Sequence, residues 1–204
     1  MLRRGANRGK MGAMSKKAIK PTSVLHPHPV LLVGTYGQDG KPNLMNAAWG
    51  GICCGTPPCV SVALREATLT YHNILHAQAF TVNTPTREHV AIADYVGIVS
   101  GRDRDKFADT GLTPVKSEHV KAPIVAELPF SLECKLVHHH KLGLHTIFVG
   151  EIVGLQAEEA VLGPKGMPDI EKTQAILWGG FGNNHYFAVG EKLGKAFSAG
   201  KKLQ

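Results

Sequence analysis

Asp39-Gly40 stands between two segments that can each extend, Val30–Thr35 before it and Asn43 to Gly55 after it. Asp-Gly between apolar runs is a strong hairpin signal, because glycine takes φ > 0 without steric cost. The return arm is predicted as a single second strand, ended by Thr56-Pro57-Pro58-Cys59. Its composition is poor for a core strand. Asn43, Asn46, Ala47, Ala48, Trp49, Gly50 and Gly51 occupy positions where Val or Ile would pack better. Side chains this small let another molecule approach the backbone closely, and the stretch reads as the floor for a flat ligand.

Val60-Ser61-Val62-Ala63-Leu64 alternates with period two and predicts a third strand. Tyr71, Ile74 and Leu75 recur at helical spacing, with Thr68 or Thr70 able to cap the start. Phe80–Asn83 is a short strand. A helix from Thr86 to about Val96 would bury Val90, Ala93 and Val96. Residues 111–129 carry Pro114, Pro123 and Pro129 and read as loop. Phe130–Val137 and Thr146–Leu155 are predicted as antiparallel neighbours across a loop from His138 to Gly143. Trp178–Asn184 reads as loop, and the basic tail after Leu193 as a weak helix. About six strands with short helices predict a mainly β, α+β fold built on a small antiparallel barrel.

The net charge of +7 misleads about partners. Residues 1–20 hold seven of the 23 basic residues and no acid, which leaves 16 bases against 16 acids. The body is neutral and lacks a basic footprint for nucleic acid. Residues 1–20 are expected to be a disordered extension, with 21–204 forming one domain. No apolar run reaches a membrane span, and the leader lacks the apolar region of a secretory signal. The cysteines, Cys53, Cys54, Cys59 and Cys134, form no CxxC pair. Buried reduced thiols in a cytoplasmic protein are the expectation.

Four groups of residues could carry chemistry. A helix opening after Thr68-x-Thr70 offers N–H groups, two hydroxyls and a positive dipole end, with Arg65 just ahead; this suits a phosphate monoester. A capped helix with a solvated Arg satisfies the same pattern. In the run from Ser100 to Phe107, Lys106 is either one more solvated charge or a cation held by Phe107 against an anionic ligand. Along the His138-His139-His140 run, only His138 and His140 share a strand face, and no standard metal spacing accompanies them; His145 opens the following strand. Trp178, Phe181 and Tyr186 sit in a glycine-rich stretch that either fills core or covers an aromatic ligand.

Taken in order, these pieces resemble the flavin reductase-like, FMN-binding split-barrel family, and within it the flavoredoxins. The residues that carry the resemblance are Asp39-Gly40-x-x-Asn43-x-x-Asn46-Ala-Ala-Trp49, Arg65-x-x-x-x-Thr70-Tyr71-x-x-Ile74, Phe80-Thr-Val-Asn83, Ser100-Gly101-x-x-x-Asp105-Lys106-Phe107, Glu133-Cys134, and Phe148-Val-Gly150-Glu151-Ile152. The resemblance implies a Greek-key barrel, usually a homodimer, with one non-covalent FMN per subunit. It implies that Asn43 and Asn46, Ala47, Ala48 and Trp49 border the ring. It assigns Thr68 and Thr70, with Arg65, to the phosphate and ribityl chain, and Asn83 and Ser100 to that chain as well. Lys106 would face the phosphate or the reduced ring, and His145 and Trp178 would lie near the ring. Electrons would pass between redox partner proteins, or come from NAD(P)H in a flavin reductase. There is no GxGxxG for a dinucleotide domain, and no protein nucleophile is needed. Two other functions fit the composition less well: a pyridoxine-phosphate oxidase-like enzyme, whose phosphate-binding Arg/Lys signatures are not evident, and a binding module using the basic tail.

Overall fold

The computed structural model describes residues 16–203. Residues 16–20 are exposed and without regular structure, and the rest of the basic stretch lies outside the described residues. The elements in order are β1 His28–Pro29, β2 Leu31–Tyr36, β3 Pro42–Ala47, β4 Gly50–Gly55, β5 Pro58–Arg65, α1 Leu69–Ala77 and β6 Ala79–Asn83. A 3-10 turn at Arg87–His89 then leads into α2 Val90–Ile98. There follow α3 Lys106–Thr110, β7 Pro114–Lys116, β8 Pro123–Val125, β9 Phe130–Leu142, β10 His145–Ala157, α4 Ile170–Thr173, β11 Ile176–Trp178 and β12 Tyr186–Ala188. A last 3-10 segment covers Ala199–Leu203, where a weak helix was expected.

Seven strands form one antiparallel sheet in the order β3-β2-β6-β9-β10-β5-β4. Its two end strands, β3 and β4, are consecutive in the chain and joined only by Ala48-Trp49. The sheet therefore rolls round so that its edges meet at that corner, where Trp49 C=O accepts from Ala63 N–H at 2.8 Å. This corrects the single return strand read from the sequence. β3 pairs with β2, and after the corner β4 pairs with β5. The hairpin turn falls where Asp-Gly required it, with Gly40 at φ 79°.

The interior holds Val33, Ala47, Val60, Val62, Leu64, Phe80, Val82, Cys134 and Phe148, with Ile74 of α1 closing one end. A second core lies on the outer side of β2 and β3, where Leu32 and Leu44 meet Ala93 and Val96 of α2, Phe107 of α3 and Ile176 of β11. Ala93 and Val96 are fully buried, as their helical spacing required. β-strand alternation thus divides β3 between two neighbours: Met45 and Ala47 turn to the barrel, Leu44 and Asn46 to α2.

Several boundaries differ from those expected. The strand predicted over 130–137 runs on through His138–His140 to Leu142, and the turn is Gly143-Leu144. A histidine run has no turn chemistry, whereas Gly143 adopts φ 55°. Residues 111–129 contain the small β7–β8 hairpin despite their prolines, of which Pro114 and Pro123 each open one of its strands. The approach segment contributes β1, which pairs with β11, and β11 with β12, so Trp178 ends a strand and the loop begins at Gly179. Among the described residues no helix is long and apolar enough to cross a membrane.

Candidate functional site

β3 lies at one end of the seven-stranded order, so one side of its backbone has no strand partner. Two cavities flank it. One, of about 190 Å³, is lined by Asn43, Met45, Thr68, Thr70, Ser100 and Lys106 among others. The other, of about 240 Å³, is lined by Asn46, Ala48, Asp94, Trp178 and Tyr186. Gly97 and Ile98, at the end of α2, border both. A Cβ on Gly97 would stand 3.2 Å from Asn46 Cβ, and one on Gly101 would fall 2.0 Å from Asn43 Oδ1. These two glycines let the end of α2 and the following loop close over β3.

The first cavity sits at the N-terminus of α1, where the helix dipole is positive. Thr68 is the cap: its hydroxyl accepts from Tyr71 N–H and donates to Arg65 C=O at 2.9 Å. Thr70 is buried, and its hydroxyl accepts from Asn43 Nδ2 at 2.9 Å. The Thr68 hydroxyl is spent on capping, whereas the Thr70 hydroxyl accepts from Asn43 and keeps its own proton, so this end offers an anion the dipole, N–H groups and one buried hydroxyl. Thr70→Val is expected to lower stability by about 1 kcal/mol, because Asn43 loses its acceptor; a urea titration measures this. Ser100 Oγ accepts from Arg102 N–H at 3.2 Å, and Arg102 Nη1 donates to Ala67 C=O at 2.6 Å. Arg102 is thereby anchored to Ala67, which lines this cavity, and itself lines the adjoining one of about 620 Å³ with Asn43 and Gly101, a position that the alternating charges of Arg102-Asp-Arg-Asp did not single out.

Lys106 is the most unusual group here. It is 4% exposed, and its Nζ donates to Val96 C=O at 2.7 Å, at the C-terminal end of α2. Among the described residues no carboxylate lies within ion-pair distance of it. Burial alone pushes its pKa down to about 8, since an unpaired buried cation is costly. A lysine in this state is relieved either by losing its proton or by an anion brought alongside it.

At the other end, Asn46 Nδ2 donates to Ala93 C=O at 3.0 Å and to Tyr186 Oη at 3.3 Å, and Tyr186 Oη donates to Asp94 Oδ1 at 3.1 Å. Burial, then Asp94, pushes the Tyr186 hydroxyl up to about 12, so it stays a donor. Asn46 Oδ1 is buried without a partner among the described residues, which leaves an acceptor to be satisfied. Beside it, ring centroids run from His145 to Trp49 (4.8 Å), Trp49 to Phe181 (5.9 Å), Phe181 to Trp178 (5.4 Å) and Trp178 to His28 (5.4 Å). His28 was not anticipated, because nothing in its approach segment marks it until β1 pairs with β11.

Of the residues expected at the site, Asn43, Asn46, Ala48, Thr68, Thr70, Ser100, Lys106 and Trp178 line these two cavities. Trp49 and His145 join the ring cluster, and Ala47 faces the barrel core. Two others stand apart. Asn83 is fully buried, donates to Leu32 C=O and Thr81 Oγ1, and accepts from Val125 N–H and Ser131 Oγ. Its amide is fully engaged in joining β2, β8 and β9. Arg65 is exposed at the end of β5, opposite His145 in the ladder. The histidine run lies on the exposed part of β9, with His139 stacked on Phe148. Among the described residues no group of three or more His, Cys, Asp or Glu is arranged to hold a metal ion.

The family model described as the flavin reductase like domain matches residues 23–175. The chain belongs to this flavin reductase-like family. Within the family, the flavoredoxin of Desulfovibrio vulgaris (Miyazaki F) is 48% identical and superposes with a TM-score of 0.86, covering 91% of this chain and 100% of that one. The flavoredoxin of Methanosarcina acetivorans is 32% identical at the same TM-score of 0.86, covering 93% and 100%. The FMN reductase (NADH) of Methylorubrum extorquens is 26% identical over 144 residues, 70% of this chain and 80% of that protein. The rolled seven-stranded sheet is the split barrel of these flavin reductase-like proteins.

Proposed function

We propose that this flavin reductase-like protein binds FMN non-covalently and, as a flavoredoxin-like carrier, passes electrons between redox partners. The observation that carries the reading is Lys106, a buried ammonium with no carboxylate within ion-pair distance among the described residues, lining a cavity at the N-terminus of α1. Lys106, the first turn of α1 and Arg102 would hold the phosphate. The small residues of β3 and the corner Ala47-Ala48-Trp49 would border the ring, with Asn46 Oδ1 accepting from a donor on it. Bound FMN would supply reversible electron transfer, and the chain would supply binding, orientation and charge. Cationic and amide donors beside the ring favour its anionic reduced form and raise its potential. The likeness to the Desulfovibrio flavoredoxin over nearly the whole chain supports the carrier reading.

A second reading, an NAD(P)H-dependent flavin reductase, is favoured by the Methylorubrum relative. One experiment separates the two. The purified protein, loaded with FMN, is mixed anaerobically with NADH or NADPH and its visible spectrum followed. A carrier stays yellow with both nucleotides, whereas a reductase bleaches with one of them. A protein that takes up no FMN removes both readings.

We further infer a cytoplasmic homodimer. Exposed Leu142 and Leu144 at the β9–β10 tip offer apolar surface for a second copy. Light scattering on the eluting protein should give twice the 21.9 kDa chain mass.

A further inference from the structure

The β4–β5 hairpin that begins at Trp49 carries chemistry the flavin reading does not use. Cys54 and Cys59 are direct partners in its ladder, next to the turn Gly55–Pro58. Directly opposed residues of an antiparallel pair share a face and lie about 4.5–5.5 Å apart at Cα. That is within the span of about 4.4–6.8 Å that a disulfide accepts. The ladder carries a register shift between Ile52 and Cys54, so the end of β4 can adjust without disturbing the barrel.

The surroundings divide the roles. Cys54 is exposed, with its Sγ 3.4 Å from Thr56 C=O, while Cys59 is buried. Burial, followed by the neighbouring Cys54, Cys53 and Glu151, pushes the Cys59 thiol up. Cys53 is exposed and its ladder neighbours do not include a cysteine. Cys134 is fully buried, and burial first, then Cys59 and Glu133, pushes its thiol up to about 12, which leaves it inert. The expectation of four buried thiols thus holds for Cys59 and Cys134 and fails for Cys53 and Cys54.

We propose that Cys54 and Cys59 form a reversible thiol–disulfide pair, closed by exchange with low-molecular-weight disulfides. The Cys54 thiolate attacks one sulfur of the external disulfide, forming a mixed disulfide and expelling the first small thiolate. The Cys59 thiolate then attacks the Cys54 sulfur, forming the internal bond and expelling the second. The two protein thiols lose two protons and two electrons, and the external disulfide is reduced to two thiols. Pairs of this kind in reducing compartments are transient and serve redox sensing. The pair needs no flavin, so its test stands apart from the cofactor reading.

The purified full-length protein is treated with oxidised glutathione, then its free thiols are counted after denaturation in acid-quenched samples and its mass is measured. Wild type is expected to lose the thiols of Cys54 and Cys59 together, with a mass lower by two hydrogen atoms once any glutathione adduct on the exposed Cys53 is subtracted, and to recover all four thiols on adding dithiothreitol. Cys53→Ser should still close the bond. Cys54→Ser, at an exposed position, should not close it. Cys59→Ser should stop at one glutathione adduct on Cys54. The proposal is overturned if wild type keeps four thiols, if it accumulates only glutathione adducts, or if Cys54→Ser loses two hydrogens as fast as wild type.

Discussion

With Lys106 replaced by Met, affinity for FMN is expected to fall about ten- to a hundredfold, the equivalent of roughly 1.5–3 kcal/mol for a charged hydrogen bond. Met keeps the apolar stem and removes the buried ammonium. The ligand-free protein should therefore be at least as stable as wild type, which separates loss of binding from loss of fold. The pH dependence gives a second signature. In the free protein Lys106 titrates near 8, below its ordinary 10.5. FMN favours the charged form, so wild-type affinity should weaken above pH 8, by about tenfold per pH unit, until the pKa of the bound state is reached. Stability of the free protein moves the other way. Between about pH 8 and 10.5 the unfolded chain binds the proton that the folded chain has released, so this lysine's burden on stability is lifted as pH rises. Lys106→Met should flatten both curves. Fluorescence titration of FMN and urea unfolding across pH 7–10 would measure them. An unchanged FMN affinity and an unchanged pH profile would remove Lys106 from the site.

Gly97→Leu is expected to abolish measurable FMN binding, a loss of about a hundredfold or more, with the fold intact. Gly97 sits in the last turn of α2 and borders both cavities. Its backbone has no left-handed φ, so a side chain is tolerated there. The new Cβ would lie 3.2 Å from Asn46 Cβ, a contact relieved by a few tenths of an ångström. The remaining carbons of the leucine would occupy space over β3, and overpacking a ligand cleft costs up to about 3 kcal/mol. Leu also gains about 0.8 kcal/mol of helix propensity over Gly. A raised or unchanged melting temperature with lost FMN retention is the expected pair of results. Retained affinity would mean that FMN does not lie along this side of β3.

Much of the fold could be read from the sequence because its signals are local. Asp39-Gly40 fixes the hairpin, the alternation of Val60–Leu64 fixes a barrel strand, and the spacing of Val90, Ala93 and Val96 fixes the buried face of α2. The break at Ala48-Trp49 was hidden, because two strands in tandem and one long strand have the same composition; only their different partners distinguish them. The extension of β9 through His138–His140 was hidden for the opposite reason, since exposed polar residues carry no alternation. At the site, helix-start chemistry and small side chains were visible. What could not be seen was how the polar groups are occupied. Asn83 looks like a ligand contact until its amide is found bridging three strands, and the Thr70 hydroxyl, expected at a phosphate, is found also holding Asn43. Lys106 was the reverse case: a lysine in a charged run whose burial and isolation only tertiary structure reveals.

The corner at Ala48-Trp49 has a kinetic consequence. The barrel is sealed there by two residues of chain and no rung of a ladder, so it has a seam that a guest can reach from outside. A cofactor seated along that seam can be loaded into the finished barrel, or withdrawn from it, without unzipping any pair of strands. On the proposed reading, how long it stays is decided by the grip of a few groups beneath it, Lys106 foremost. On this frame, a carrier that retains its flavin and a reductase that hands it on differ by the strength of a latch.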